Sequence, residues 1–236
     1  MDLKGKVAYI TGGTKGIGYG IAECLLKEGM KVAISGRNNI GVDEAVKSLG
    51  YSGNVLGLQS DVSTLSDQIN AVDSILDLWG RLDLVVANAG VGHFAPVYEL
   101  GEKEWHQMMD TNLTGAFFTL KASVDALKKS EGYYMTIASL AGTNFFAQGA
   151  GYNATKFGVV GFTQAAMLDL RKYNVKVTTI MPGSVSTHFN GNEPSEKDAW
   201  KIQSADIGKL VVDLLHMHPR TLPSKIEVRP TRPDLK

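Results

Sequence analysis

The chain predicts an α/β protein built on one doubly wound parallel sheet of about seven strands, with helices on both faces. Three observations carry the prediction. Short apolar runs, clearest at residues 7–11 and 82–87, alternate with longer segments whose apolar residues recur at helical spacing. The runs are apolar almost throughout, as in strands buried on both faces. A glycine cluster, Gly12-Gly13-Thr14-Lys15-Gly16-Ile17-Gly18, lies between the first run and the first helical segment.

The elements follow in order. Val7-Ala8-Tyr9-Ile10-Thr11 is a strand stopped by Gly12-Gly13, and residues 17–26 form a helix that Gly29 ends. Residues 31–35 are the second strand, 43–49 a weaker helix, 54–58 the third strand and 65–79 a long amphipathic helix. After the strand at 82–87, residues 105–129 carry one or two helices and 133–138 a strand. The chain continues with a helix at 152–172, a strand at 175–181, a helix at 205–215 and a last strand at 226–229. No internal repeat or linker interrupts this rhythm, so residues 1–236 are expected to form one unit. Its one composition shift begins at Gly183, where Gly, Ser, Thr, Asn and Pro accumulate; a substrate loop is expected near 184–203, beyond the C-terminal end of a strand.

With 24 Lys plus Arg against 24 Asp plus Glu the net charge is zero, which excludes the basic field of a nucleic-acid or anionic-membrane binder. A single cysteine, Cys24, excludes an intramolecular disulfide framework and fits a reducing cytoplasm. It falls in an apolar helical run and reads as a packing residue. The first residues, Met1 to Lys6, lack the features of a signal peptide, and no run approaches the roughly 18 apolar residues of a membrane span. A cytoplasmic protein is expected.

The glycine cluster carries the first functional reading. Between strand and helix, glycines permit a tight turn and let backbone N–H groups approach a pyrophosphate at the positive helix end. The spacing departs from the commonest dinucleotide fingerprint and lacks the Gly-Lys-Ser/Thr ending of a nucleotide-triphosphate loop, which argues against a kinase or ATPase. The second strand ends Ser35-Gly36-Arg37-Asn38, without the acid that usually binds a ribose 2′-hydroxyl. Arg37 and Lys15 are instead cations suited to a 2′-phosphate, so NADP(H) is the expected cofactor. Tyr152 and Lys156, four residues apart on a helix, share one face, and an ammonium near a phenol is expected to lower its pKa.

Thr11 to Gly18, Asn88-Ala89-Gly90, Asn112, Ser139, Tyr152 with Lys156, and Pro182-Gly183 occur in this order. In that combination the chain resembles the short-chain dehydrogenase/reductase family over nearly its whole length. The resemblance implies a Rossmann-type fold and direct hydride transfer between nicotinamide and a carbonyl carbon. It makes Tyr152 the general acid in reduction and Ser139 the second donor to the carbonyl oxygen. Lys156 would bind the nicotinamide ribose, and Asn112 would support a water on the proton-return path. Gly12, Thr14, Lys15, Gly16, Ile17, Gly18, Arg37 and Asn38 would hold the phosphates and adenosine ribose. Asp61 and Val62 match the family's adenine contact, although Asp61 suits a helix cap equally well. Asn88, Ala89 and Gly90 would line the adenosine side. Pro182, Gly183, Val185 and Thr187 resemble the segment that holds the carboxamide. A homotetramer or homodimer packed through helices 114–128 and 152–172 is also implied.

The substrate end is less specific. His93, Phe145, Ser184, His188 and Phe189 are candidate pocket residues; for Phe145, Phe146 and Phe189 core filling is an equal alternative. No basic residue between Gly183 and Pro194 offers a clamp for a charged substrate, so a small apolar or aryl ketone or aldehyde is expected. Acyl-carrier-protein thioester reductases of the family commonly end in a glycine-rich segment, whereas this chain ends Ile226-Glu227-Val228-Arg229-Pro230-Thr231-Arg232-Pro233. A 3-oxoacyl-thioester or 3-hydroxy acid enzyme is therefore the alternative. A non-catalytic NADP(H)-binding sensor is the alternative from another class. His216-Met217-His218 puts its histidines on different helix faces with no carboxylate or cysteine cluster, so no metal site is expected.

Overall fold

In the computed structural model, residues 2–232 are described; Met1 and residues 233–236, and with them the end of the Ile226–Pro233 segment, lie outside this range. Seven strands form one sheet: β1 (Val7–Thr11), β2 (Lys31–Gly36), β3 (Val55–Gln59), β4 (Leu84–Ala87), β5 (Tyr133–Ile137), β6 (Lys176–Pro182) and β7 (Lys225–Val228). Their order is β3-β2-β1-β4-β5-β6-β7 and every pairing is parallel. The order reverses between β1 and β4, and a crevice opens there at the C-terminal strand ends, where such sheets bind ligands.

Both faces of the sheet are covered. On one side α1 (Gly16–Lys27), α2 (Asn39–Leu49) and α7 (Ser204–His216) pack Ile21, Leu25, Ala45, Leu49, Ile207 and Val211 onto Ala8, Ile10, Val32, Ile34 and Val86. On the other, α3 (Leu65–Trp79), α5 (Gly115–Ser130) and α6 (Ala150–Leu170) pack Val72, Ile75, Leu120, Leu127, Met167 and Leu170 onto Val7, Tyr9, Val85 and Tyr134. Successive strand residues point to opposite faces, which is why Val7 and Tyr9 serve one core and Ala8 and Ile10 the other. At the far end of the sheet Asp83 accepts hydrogen bonds from Val7 N (2.9 Å), Lys6 Nζ (3.2 Å) and Arg81 (2.6 and 2.8 Å), tying β1 to the start of β4.

The structure shifts several sequence-derived boundaries. α2 begins four residues earlier than its apolar pattern, because Asn38 caps it by accepting from Gly41 N at 3.2 Å. The region expected as one or two helices is a single column: α4 (Glu102–Met108), a π-helical segment (Met109–Thr114), then α5. Glycines permit backbone contacts here that periodicity does not reveal; a Cβ on Gly115 would lie 2.7 Å from Val62. α6 starts at Ala150, before Tyr152, and ends at Leu170 in a short 3₁₀ turn, Arg171–Tyr173. The loop expected near 184–203 closes on itself: Val185 bridges Ile202, Ile202 N donates to Ser184 O (3.1 Å) and Ser186 N to Ile202 O (2.9 Å).

Candidate active site

The crevice over the β1/β4 reversal is a cleft of about 1140 Å³. One end is lined by the glycine loop, Gly36, Arg37 and Asn38; the other by Ser139, Tyr152, Lys156, His93 and Phe189. The glycine loop is shaped by close approaches. Gly12 and Gly16 have φ of +63° and +60°, a region that favours glycine. A Cβ on Gly12 would sit 2.9 Å from the Cα of Ala89, and one on Gly18 2.5 Å from Asn88 Nδ2. Asn88 Nδ2 donates to Thr11 O (2.9 Å) and Gly12 O (3.0 Å), while Thr11 Oγ1 accepts from Asn88 N and Ala89 N. These bonds lock the ends of β1 and β4 together and hold the cradle open. Arg37 and Lys15 are exposed at its rim.

Ser139 follows β5 in extended conformation and caps the 3₁₀ turn Leu140–Gly142, its Oγ accepting from Ala141 N at 3.1 Å. Tyr152 projects from the first turn of α6 into the cleft that Ser139 also lines. Lys156 stands one turn further on, 5% exposed, and its Nζ donates to Ile137 O at 3.1 Å. The ammonium is 5.6 Å from the Tyr152 ring centre. The expected lowering of the phenol pKa is overturned: loss of water pushes Tyr152 up to about 12, and the nearby Ser139 hydroxyl opposes that only in part. Burial also brings Lys156 down to about 8. Both groups leave water without a charged partner, so desolvation outweighs the attraction between them. The consequence is a phenol that holds its proton at neutral pH, ready to donate.

Asn112 does not line the cleft but sits beneath it in the π-helical segment, 3% exposed. Its side chain pairs with both main-chain groups of Val91, accepting from N at 2.8 Å and donating to O at 2.9 Å. It also donates to Thr155 Oγ1 at 3.0 Å. It thus joins the loop after β4 to α6. A π turn displaces side chains from the α-helical register, and such turns recur at functional positions.

The remaining predicted residues divide. Gly12, Thr14, Lys15, Gly16, Ile17, Asn88, Ala89, Gly90, Val62, Pro182, Gly183, Val185 and Thr187 line the cleft. Gly18 lies behind the glycine loop. Asp61 borders a separate small groove with Asp67 and Asn70. Its carboxylate accepts from Ser63 N (2.9 Å) and Ser63 Oγ (2.7 Å), a local turn rather than a cap, since Thr64 is the N-cap of α3. At the substrate end His93 and His188 line the cleft, and His93 Nε2 lies 2.9 Å from Gln107 Oε1. Phe189 packs against Tyr152 with ring centres 5.8 Å apart. Phe145 and Ser184 do not line the cleft. Phe145 is 84% exposed and stacks on Phe157, while its neighbour Phe146 turns to Phe94. Phe94, which periodicity did not single out, meets the Tyr152 ring edge-on at 5.4 Å. Gly92 seats these rings: a Cβ there would lie 2.7 Å from Phe189 and 3.0 Å from Phe94. Among the described residues no group of three His, Cys, Asp or Glu is placed to hold a metal ion.

Comparison with known proteins places this geometry. A family model described as short chain dehydrogenase matches residues 6–198. The 3-oxoacyl-(acyl-carrier-protein) reductase of Vibrio cholerae is 34% identical over 212 residues, covering 89% of this chain and 86% of that protein. An alcohol dehydrogenase from the archaeon Thermococcus sibiricus, solved with 5-hydroxy-NADP, superposes with a TM-score of 0.90 at 30% identity, over 98% of this chain and 99% of that one. A 3-ketoacyl-(acyl-carrier-protein) reductase from Brucella melitensis, solved with NADH, gives 0.89 at 25% identity, over 98% and 99%.

Proposed function

The chain belongs to the short chain dehydrogenase family, and from that premise we propose that it is an NADP(H)-dependent carbonyl reductase acting on a small apolar or aryl ketone or aldehyde. The observation that carries the proposal is the partly buried, protonated Tyr152 phenol beside the Ser139 hydroxyl, in a cleft continuous with the glycine cradle. Gly12 and Gly16 leave the cradle free of side chains where a pyrophosphate needs close backbone approach. The bound nicotinamide would supply the hydride. The two hydroxyls would bind the carbonyl oxygen and stabilise the charge that builds there, and Tyr152 would deliver the proton. Lys156 would meet the ribose hydroxyls, and Asn112 would keep the floor of the site in register. Arg37 and Lys15 at the rim favour a 2′-phosphate, and thus NADP(H) over NAD(H).

Phe94, Phe146 and Phe189 around Tyr152 suit a flat apolar substrate. The 34% identity to an acyl-carrier-protein reductase keeps 3-oxoacyl thioesters as the second reading. The chain is proposed to work as one catalytic unit whose segment near 184–203 closes over substrate. A cytoplasmic homodimer or homotetramer fits the exposed Phe117, Phe157 and Leu168 on α5 and α6, with open space above Gly161. No helix among the described residues is long and apolar enough to cross a membrane.

A panel of ketones, keto acids and acyl thioesters, run with NADPH and NADH side by side, tests cofactor and substrate together. Tyr152→Phe should abolish turnover while NADPH still binds. A mutant that kept its rate would remove Tyr152 from the acid role. Tight NADPH binding with no oxidation across the panel would favour a non-catalytic sensor.

A further inference from the structure

Ser139 and Tyr152 arrive at the cleft from different elements, joined by a segment that includes an exposed stretch. After the 3₁₀ turn Leu140–Gly142, residues 144–148 are exposed, and Gln148 adopts a φ of +65°. Lys156 ties α6 to Ile137 O at the end of β5; nearer Ser139, a second side chain makes the connection. Asn153, next to Tyr152 and 9% exposed, donates from Nδ2 to Ala141 O and to Asn144 O, both at 2.6 Å. Ala141 N in turn donates to Ser139 Oγ. On the near side, Asn153 N donates to Gly149 O at 2.7 Å, and a Cβ on Gly149 would lie 2.6 Å from Asn153 Oδ1.

We propose that Asn153 is a positioning residue that sets the spacing between the Ser139 hydroxyl and the Tyr152 phenol, by holding the segment after β5 onto the first turn of α6. This rests on the reading that the two hydroxyls act on one substrate oxygen. The chemistry requires an amide. Two carbonyls converge on one atom, and only a nitrogen bearing two protons satisfies both at this reach; a hydroxyl supplies one donor and an ionised carboxylate none. A Ser139 displaced by about 1 Å would no longer share the oxygen with Tyr152, a misplacement that costs about 10²-fold in rate.

Asn153→Asp tests this, because the substitution keeps the shape and makes donation depend on pH. Buried against two carbonyl oxygens, the new carboxyl titrates above the usual carboxylate range, and its protonated form again donates one hydrogen bond. Expected near pH 8 is kcat down about 10²-fold, with the NADPH dissociation constant, read by fluorescence, within about twofold of the parent. The variant-to-parent kcat ratio should then rise about tenfold or more towards pH 6 as the carboxyl protonates. A ratio near one, or one flat with pH, overturns the proposal. Should this variant not fold, Asn153→Ser carries the test. One donor in place of two should lower kcat about tenfold at unchanged NADPH affinity; an unchanged kcat, or kcat and affinity falling together, overturns it. A parent enzyme that reduces no carbonyl removes the proposed function and this inference with it. A parent that is active and loses activity in Tyr152→Phe, while Asn153→Asp follows the parent at every pH, removes only the positioning role.

Discussion

Replacing Asn112 by alanine deletes three hydrogen bonds at the joint between the β4 loop, the π-helical segment and α6. Two of them satisfy the N–H and C=O of Val91, which is partly buried and has no strand partner at that point. Losing a neutral partner of a main-chain group costs about 1 kcal/mol where water replaces it in part. Thr155 still donates to Tyr152 O at 2.8 Å and loses only its second contact. The sum is about 2–3 kcal/mol, which for a domain of this size lowers Tm by about 5–10 °C. Calorimetry of the cofactor-free protein reads this directly. Thr155→Val, which removes only one of the three bonds to Asn112, should cost about 1 kcal/mol or less by the same reasoning. An Asn112→Ala shift under about 2 °C would refute the view that this side chain braces the joint, and would leave it a purely solvent-linked role.

Three further outcomes are expected. Lys156→Met should abolish reduction yet stabilise the cofactor-free protein at neutral pH by up to about 3 kcal/mol, because the ammonium titrates about 8 folded against about 10.4 unfolded. Below the folded value the parent carries the whole burial cost; as pH rises between the two values the folded state sheds the proton first, so the Tm gap should narrow towards pH 10, and a gap constant with pH counts against it. Asp83 is raised by burial, but Arg81, Val7 N and Lys6 together hold it below its ordinary value. Its contribution is therefore complete above the unfolded pKa and lost as pH falls through the folded one; Asp83→Ala should cost about 3 kcal/mol at pH 7, and the Tm gap between parent and variant should close as pH falls through that window, a gap constant with pH counting against it. Arg37→Gln should weaken NADPH about tenfold or more while NADH changes little, consistent with loss of one charge-assisted phosphate contact; equal loss for both cofactors in titrations would place Arg37 elsewhere.

The sequence alone determined the fold class, and it picked out the candidate chemistry-bearing residues by type and order. Buried parallel strands are apolar on both alternating positions, so β1 and β4 are visible as nearly unbroken apolar runs, and the glycine cluster between β1 and α1 has few other uses. Asn112, Ser139, Tyr152 and Lys156 were legible as an ordered set of residue types. Legibility ended where an outcome depended on what lies across space. Phe145 and Phe146 are adjacent and alike in sequence, yet one stacks outward on Phe157 and the other faces Phe94 near the phenol. Asp61 matched an adenine contact but turned its carboxylate to Ser63.

The direction of the Tyr152 shift shows the same division most sharply. Spacing puts an ammonium one turn from a phenol and says nothing of how much water either keeps. Only the tertiary packing takes water from both, burying Lys156 and partly burying Tyr152, raising the phenol to about 12 and lowering the lysine to about 8. Local spacing is encoded in four residues, whereas desolvation is a sum over every neighbour that excludes water, and those neighbours come from β5, α6 and the loop after β4.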